Sequence, residues 1–244
     1  MQLGCLSGPG ARRTSPWGRR LAWLALAGVI VYVAVDVLLR FLRPGYSLLY
    51  NAESDYGRGP WYWVMDLNFL LRCALSVAAA AALAKTVRSD GRVRGGLVLL
   101  LIWAACSGLL AFFADDLEGQ PLHGSGVVHI GLALIAFPCV MVGTILISAS
   151  LRSDPGWRPA GNLLLAVSAA GAAAFLLLGS AFGHKHAPGG LYERIFLGLE
   201  LLWIALAAAW IAVREPVTAV SPAPVLQAAP GGGSGAGSGG GSVG

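Results

Sequence analysis

Six apolar runs, each about 20 residues long or longer, divide this chain and limit what it can fold into more than any other feature. A hydrocarbon core about 30 Å thick is crossed by about 20 residues of α-helix, and inside it each peptide N–H and C=O must be satisfied within the protein. Helices are therefore the form such runs take. They lie at about 20–42, 61–84, 95–114, 126–150, 160–182 and 191–213. The expected fold is all-α, a six-transmembrane-helix bundle. Composition agrees: the chain is 56% hydrophobic and only 12% charged, about half the charge of a soluble domain.

The basic residues set the orientation. Arg12, Arg13, Arg19 and Arg20 precede the first run; Lys85, Arg88, Arg92 and Arg94 surround the second connection; Arg152 and Arg158 lie in the fourth, and Arg214 follows the last run. The opposite side holds Arg43, Arg58, Lys185 and Arg194. An excess of Lys and Arg marks the cytoplasmic face, so both termini are expected in the cytoplasm and the protein in the cell (cytoplasmic) membrane. The first run resembles a signal peptide in following Arg19 and Arg20, but its length and the lack of a small-residue cleavage site favour a retained span. The net charge of +5 is dispersed in short clusters between apolar runs, which excludes a nucleic-acid-binding face.

Residues 1–19 read as a disordered leader, 20–214 as the six-helix membrane domain, and 215–244 as a disordered tail ending in "GGGSGAGSGGGSVG". Cys5, Cys73, Cys106 and Cys139 form no CxxC pair, and the last three fall inside apolar runs, where cysteine acts as a small hydrophobe. Trp61, Tyr62 and Trp63 form an interfacial aromatic belt. Gly179 and Gly183 form a GxxxG suited to close helix packing.

Charged residues within the runs point to a site. At 1.5 Å per residue, Asp36 and Asp66 both lie about 7–9 Å from the outer boundary, while Arg72 and Glu200 lie roughly 13–16 Å deep. A charge at such depth faces the bundle interior and seeks a partner. Matching depths predict an Arg72–Glu200 ion pair, and Asp36 is four residues from Arg40, close enough to pair on one helix face. Asp66 and Asn68 then face a polar pocket opening outward, with Ser54 and Asp55 in a turn-forming loop able to fold over it as a lid. Arg72 at its floor suits a lipid or a small anionic ligand.

All four histidines fall on the same outer side. Asp115, Asp116, His123 and His129 come from one connection and His184 and His186 from another, a nitrogen and oxygen donor set suited to zinc. The spacing is no metal signature, and hydrated loop residues, with His129 hydrogen-bonded at a helix start, are the plainer reading. Two functional classes follow: a ligand-binding, transport-related or scaffold protein, and a membrane-embedded, metal-dependent hydrolase acting on a lipid or lipid-linked substrate at the outer leaflet. Ser107 is the candidate serine for the second, with helix packing its plainer role. The catalytic residues, the substrate and the oligomeric state are not legible in the residues.

The loop "RPGYSLLYNAESDYGRG", residues 43–59, and the stretch "FFADDLEGQPLHGSGVVHIGLALIAF" carry a resemblance. A Pro and Tyr after the first run, then Ser54, Asp55 and Gly57 before an aromatic-rich second run with Asn68, resemble the bacterial multi-pass membrane family called domain of unknown function 998. In the second stretch Asp115 or Asp116, and His123 or His129, correspond to that family's polar positions. Tyr56 stands where the pattern has Leu. The resemblance covers about residues 20–213 and implies an integral membrane fold with no assigned activity.

Overall fold

The structure, a computed structural model, describes residues 15–116, 121, 124–181, 184 and 187–214. The expectations for residues 1–14 and 215–244, for His123 and His186, and for Gly183 lie outside the described residues. Six helices fill the rest: α1 (Pro16–Leu42), α2 (Tyr62–Thr86), α3 (Gly91–Leu110), α4 (Gly124–Ser153), α5 (Arg158–Ala181) and α6 (Gly189–Ala212), each long and apolar enough to cross a membrane.

Local chemistry sets several boundaries that hydropathy does not. α1 begins at Pro16 because Ser15 caps it, its Oγ accepting from the Gly18 N–H at 3.0 Å, and proline suits the first turn. α3 begins at Gly91 because the Asp90 carboxylate accepts from the Val93 N–H at 2.7 Å. The same carboxylate accepts from Ser150 Oγ at 2.6 Å, tying the start of α3 to the end of α4. That bond, with the capping contact, holds the Asp90 carboxyl below its ordinary pKa. α3 stops at Leu110 although Ala111, Phe112 and Phe113 are apolar; these residues turn instead.

Consecutive helices pack side by side and α6 returns to α1, closing a ring. Both described ends of the chain therefore lie at one end of the bundle, called the near end; the connection of residues 43–61 lies at the far end. Between helices in lipid, attraction comes from close packing and hydrogen bonds rather than from water exclusion. The α3–α4 crossing shows this, since a Cβ on Gly96 would stand 2.8 Å from the Gly143 carbonyl oxygen. Gly179, by contrast, has open space around it, so no neighbouring helix packs against this glycine of the expected GxxxG.

The interior is aromatic and aliphatic: Trp103, Trp203, Phe196, Leu75, Leu100 and Ile147 are fully buried. Two deeply buried indoles find an oxygen on a neighbouring helix, the Trp103 N–H on Ser76 at 3.2 Å and the Trp203 N–H on Ser148 at 2.8 Å. Large apolar side chains such as Phe41 and Leu176 point outward, as a lipid-facing surface requires. Trp61, Tyr62 and Trp63 are also exposed, at the head of α2.

Candidate functional site

The far end is covered by the first connection. Within it, the Asn51 side chain accepts from the Ser47 N–H at 2.9 Å and donates to Asp55 Oδ2 at 3.2 Å, closing a compact turn. The Tyr46 hydroxyl donates to the Asp55 carbonyl at 3.0 Å, and the Tyr46 and Tyr56 rings stack with centroids 5.3 Å apart. Arg43 lies over Tyr46 and donates to the carbonyls of Arg58 and Pro60. A 3₁₀ turn, Ser54–Gly57, results, and Glu53, Ser54, Asp55 and Tyr56 are all buried.

This connection is fastened on two sides. Toward α6, the Leu191 N–H donates to the Leu49 carbonyl at 3.1 Å and Arg194 Nη1 to the Asn51 carbonyl at 2.6 Å. Gly190 permits the approach, because a Cβ there would collide with the Asn51 carbonyl. Toward the α3–α4 connection, Ser54 Oγ donates to Asp115 Oδ2 at 2.9 Å, and Arg58 pairs with Asp116 at 2.5 Å. The polar residues expected around an open mouth thus lie under or within a seated loop.

Beneath it runs a buried polar chain. Arg72 on α2 donates through Nη1 to the Tyr32 hydroxyl of α1 at 3.1 Å and through Nε to Ser107 of α3 at 3.2 Å. The Tyr32 hydroxyl in turn donates to the Glu53 carboxylate, and the Glu53 N–H donates to Glu193 Oε2 of α6 at 3.1 Å. Three aromatic faces surround the Arg72 guanidinium: Trp103 at 4.9 Å, Phe69 at 5.1 Å and Tyr32 at 5.7 Å. These supply the electron-rich environment an acid would otherwise provide.

The ion pair expected from matching depth, Arg72 with Glu200, does not form. Glu200 is buried, but its carboxylate lies over Gly171 of α5, and neither oxygen has a hydrogen-bond partner. The Thr144 hydroxyl adjoins it yet is turned to the Met141 carbonyl, 3.1 Å away. Depth follows from helical rise, but the direction a side chain takes around the helix does not. α6 meets α5 and α1 more extensively than α2, so Glu200 and Arg72 face different neighbours.

Nor does Asp36 pair with Arg40. Arg40 Nη1 donates to the Tyr46 carbonyl at 3.3 Å, and Asp36 Oδ1 is buried with no hydrogen-bond partner. Asp36 instead lies within electrostatic reach of Glu53 and Arg194. Asn68 is buried and donates to the Tyr32 carbonyl at 3.3 Å, its own oxygen unpartnered. Asp66 is half-buried near Gly57. Two residues apart on a helix, Asp66 and Asn68 cannot share a face.

Of the metal-ligand candidates, Asp115 and His129 meet, with Nε2 3.7 Å from Asp115 Oδ2. His129 Nδ1 lies 2.7 Å from the Phe113 carbonyl, which assigns a proton to Nδ1. Asp116 is engaged by Arg58, and His184 is exposed. Among the described residues no three His, Cys, Asp or Glu side chains are placed to hold one metal ion.

Two members of the site escape sequence reasoning. Tyr32 reads as one more apolar residue of the first run, although a deep tyrosine hydroxyl needs a partner. Glu193 sits at the start of α6, and only the folded loop shows that it receives a backbone N–H.

Asp55 is the loop acid with the clearest electrostatic signature. Burial, reinforced by the Asp115 carboxylate, pushes its pKa up to about 6 against the lowering contacts of Asn51 and Arg194.

A family model described as "Protein of unknown function (DUF998)" matches residues 26–210, from within α1 to near the end of α6. No curated protein and no solved structure matches the chain.

Proposed function

This chain belongs to the DUF998 family, and from that premise we propose that it is a ligand-binding, transport-related membrane protein whose site lies under the first outer connection. The ligand is a small polar molecule or a lipid head with an anionic group for Arg194 and hydrogen-bond donors for Asp36 and Asn68. The observation that carries this reading is a set of buried polar atoms without partners beside the loop: Asp36 Oδ1, Asn68 Oδ1, the Tyr56 hydroxyl, and Nε and Nη2 of Arg194. Buried polar atoms of both signs left unsatisfied cost about 1–3 kcal/mol each. A ligand bearing donors and an acidic group would satisfy them together. Arg194 rather than Arg72 is the anion-binding cation, because Arg194 keeps two buried nitrogens without a hydrogen-bond partner, Nη1 alone being held by the loop carbonyls, whereas Nε and Nη1 of Arg72 are engaged by Ser107 and Tyr32.

The test is mass spectrometry of species retained by the purified protein. Wild type should carry a bound molecule that Asp36→Leu and Asn68→Leu lose while remaining folded. Identical retained species in all three proteins would remove the proposal.

The orientation belongs to the same reading: the far end faces outward and the termini lie in the cytoplasm, supported by the basic residues gathered at the near end. A cysteine placed at Tyr50 should react with an impermeant maleimide in intact cells, and one at Arg92 only after permeabilisation. The reverse pattern would invert the topology.

The hydrolase alternative has one foothold, the contact of Asp115 with His129. Against it, Ser54 donates to Asp115, and Ser107 accepts from Arg72. A serine nucleophile needs a base to take its proton. Zinc copurifying with wild type and lost in His129→Ala would favour the alternative.

A further inference from the structure

A cleft of about 550 Å³ opens at the near end between the last turns of α4 and the first turns of α5, away from the site described above. Its lining is Ala149, Arg152, Ser153, Arg158, Asn162 and Leu165. Two features separate it from ordinary surface charge.

First, its cations are uncommitted. Arg152 and Arg158 make no ion pair with any described acid, although Asp154 lies between them in sequence. Asp154 turns the other way: its Oδ1 accepts from the Gly156 N–H at 2.8 Å, and it faces Arg214. Arg214 is held in turn by the Gly156 carbonyl and by the faces of Trp157 at 4.3 Å and Trp210 at 5.5 Å. The only acid of this connection is therefore drawn off by a third arginine.

Second, the cleft is amphipathic and lies at the membrane boundary. Two guanidinium groups and the Asn162 amide offer donors to an oxyanion, and the positive end of the α5 dipole points the same way. Ala149 and Leu165, which lie farther from the near end along α4 and α5 than Arg152 and Arg158, form an apolar wall, and the Ser153 hydroxyl is satisfied by the Ala149 carbonyl at 3.2 Å. Free phosphate has no use for the apolar wall; a phosphate joined to glycerol and acyl chains does.

We propose that the α4–α5 cleft binds the phosphate of an anionic phospholipid of the adjoining leaflet, through Arg152, Arg158 and Asn162. Basic pockets between transmembrane helices take anionic head groups in this way. The site is independent of the ligand proposed for the far end.

The test is native mass spectrometry of the full chain in detergent, titrated with phosphatidylglycerol or phosphatidylcholine. Wild type should retain phosphatidylglycerol at least ~tenfold better, and Arg152→Gln/Arg158→Gln should fall to the phosphatidylcholine level. Asn162→Leu should lose part of the preference. Arg92→Gln/Arg94→Gln, which removes equal charge from the same end, should behave as wild type. Equal losses in the two double variants would reduce the effect to general electrostatics and overturn the proposal. Displacement of the lipid by millimolar inorganic phosphate would overturn the assignment to lipid.

Discussion

Replacing Tyr32 with phenylalanine removes one oxygen atom and cuts the buried chain at its centre. Arg72 loses the acceptor 3.1 Å from Nη1, and Glu53 loses the hydroxyl that donates to its carboxylate. Hydrogen bonds to charged groups contribute about 1.5–3 kcal/mol each, and stranding a buried partner adds desolvation that nothing offsets. The aromatic faces around Arg72 persist and soften its share of the loss. A destabilisation of about 2–4 kcal/mol is expected. Tyr56→Phe supplies the control, because that ring is also fully buried but its hydroxyl, though near Arg194, makes no hydrogen bond of good geometry. It should change stability by less than about 0.5 kcal/mol or raise it slightly. Equilibrium unfolding in mixed micelles, followed by tryptophan fluorescence, measures both. A double-mutant cycle of Tyr32→Phe with Glu53→Gln should show coupling above about 1 kcal/mol. Equal effects of the two Tyr→Phe changes, or an uncoupled cycle, would refute the chain of bonds on which the site rests.

Three further outcomes are expected. The Asp55 pKa is raised by burial to about 6. Folding therefore favours its neutral form, and the stabilisation is full below about pH 4 and lost as pH rises through about 6, an effect of roughly 3 kcal/mol at most. Hydrogen-exchange protection factors in residues 43–61, corrected for base-catalysed intrinsic exchange, should be higher at pH 5 than at pH 8, and Asp55→Asn should flatten the difference; an unchanged difference would exclude Asp55 as its source. Glu200→Leu should stabilise the bundle by about 1–3 kcal/mol, since it removes a buried carboxylate whose oxygens have no partner; a loss of stability would mean that an unseen contact holds it. Gly190→Val should drive the loop off α6 and speed proteolysis within residues 43–61 several-fold, leaving α3–α4 packing intact; an unaltered cleavage rate would show that the loop is held elsewhere.

The six spans were legible because a bilayer demands length and apolarity, and both are written one residue at a time. Their ends were less so: α1 starts at Pro16 rather than near residue 20, and α3 spans Gly91–Leu110 rather than 95–114, because Ser15 and Asp90 act through caps. Depth could be counted from helical rise, which puts Arg72 and Glu200 at similar levels. Their facing could not. A helix that is apolar all round, wrapped partly by lipid and partly by other helices, carries little periodic signal of which side turns inward. Arg72 therefore found Tyr32, Ser107 and three rings, and Glu200 found Gly171. The loop acids showed a turn but not its seat, which depends on contacts between residues more than 130 positions apart, such as Arg194 with Asn51.

The sixth helix is moored at both tips. Its first turn is laced to the first connection through Leu191 and Arg194, and beyond its last turn Arg214 grips the Gly156 carbonyl and Trp157 in the turn joining α4 to α5. A rod held in this way at both tips cannot slide along its own axis or tilt without breaking the contacts at one end or the other.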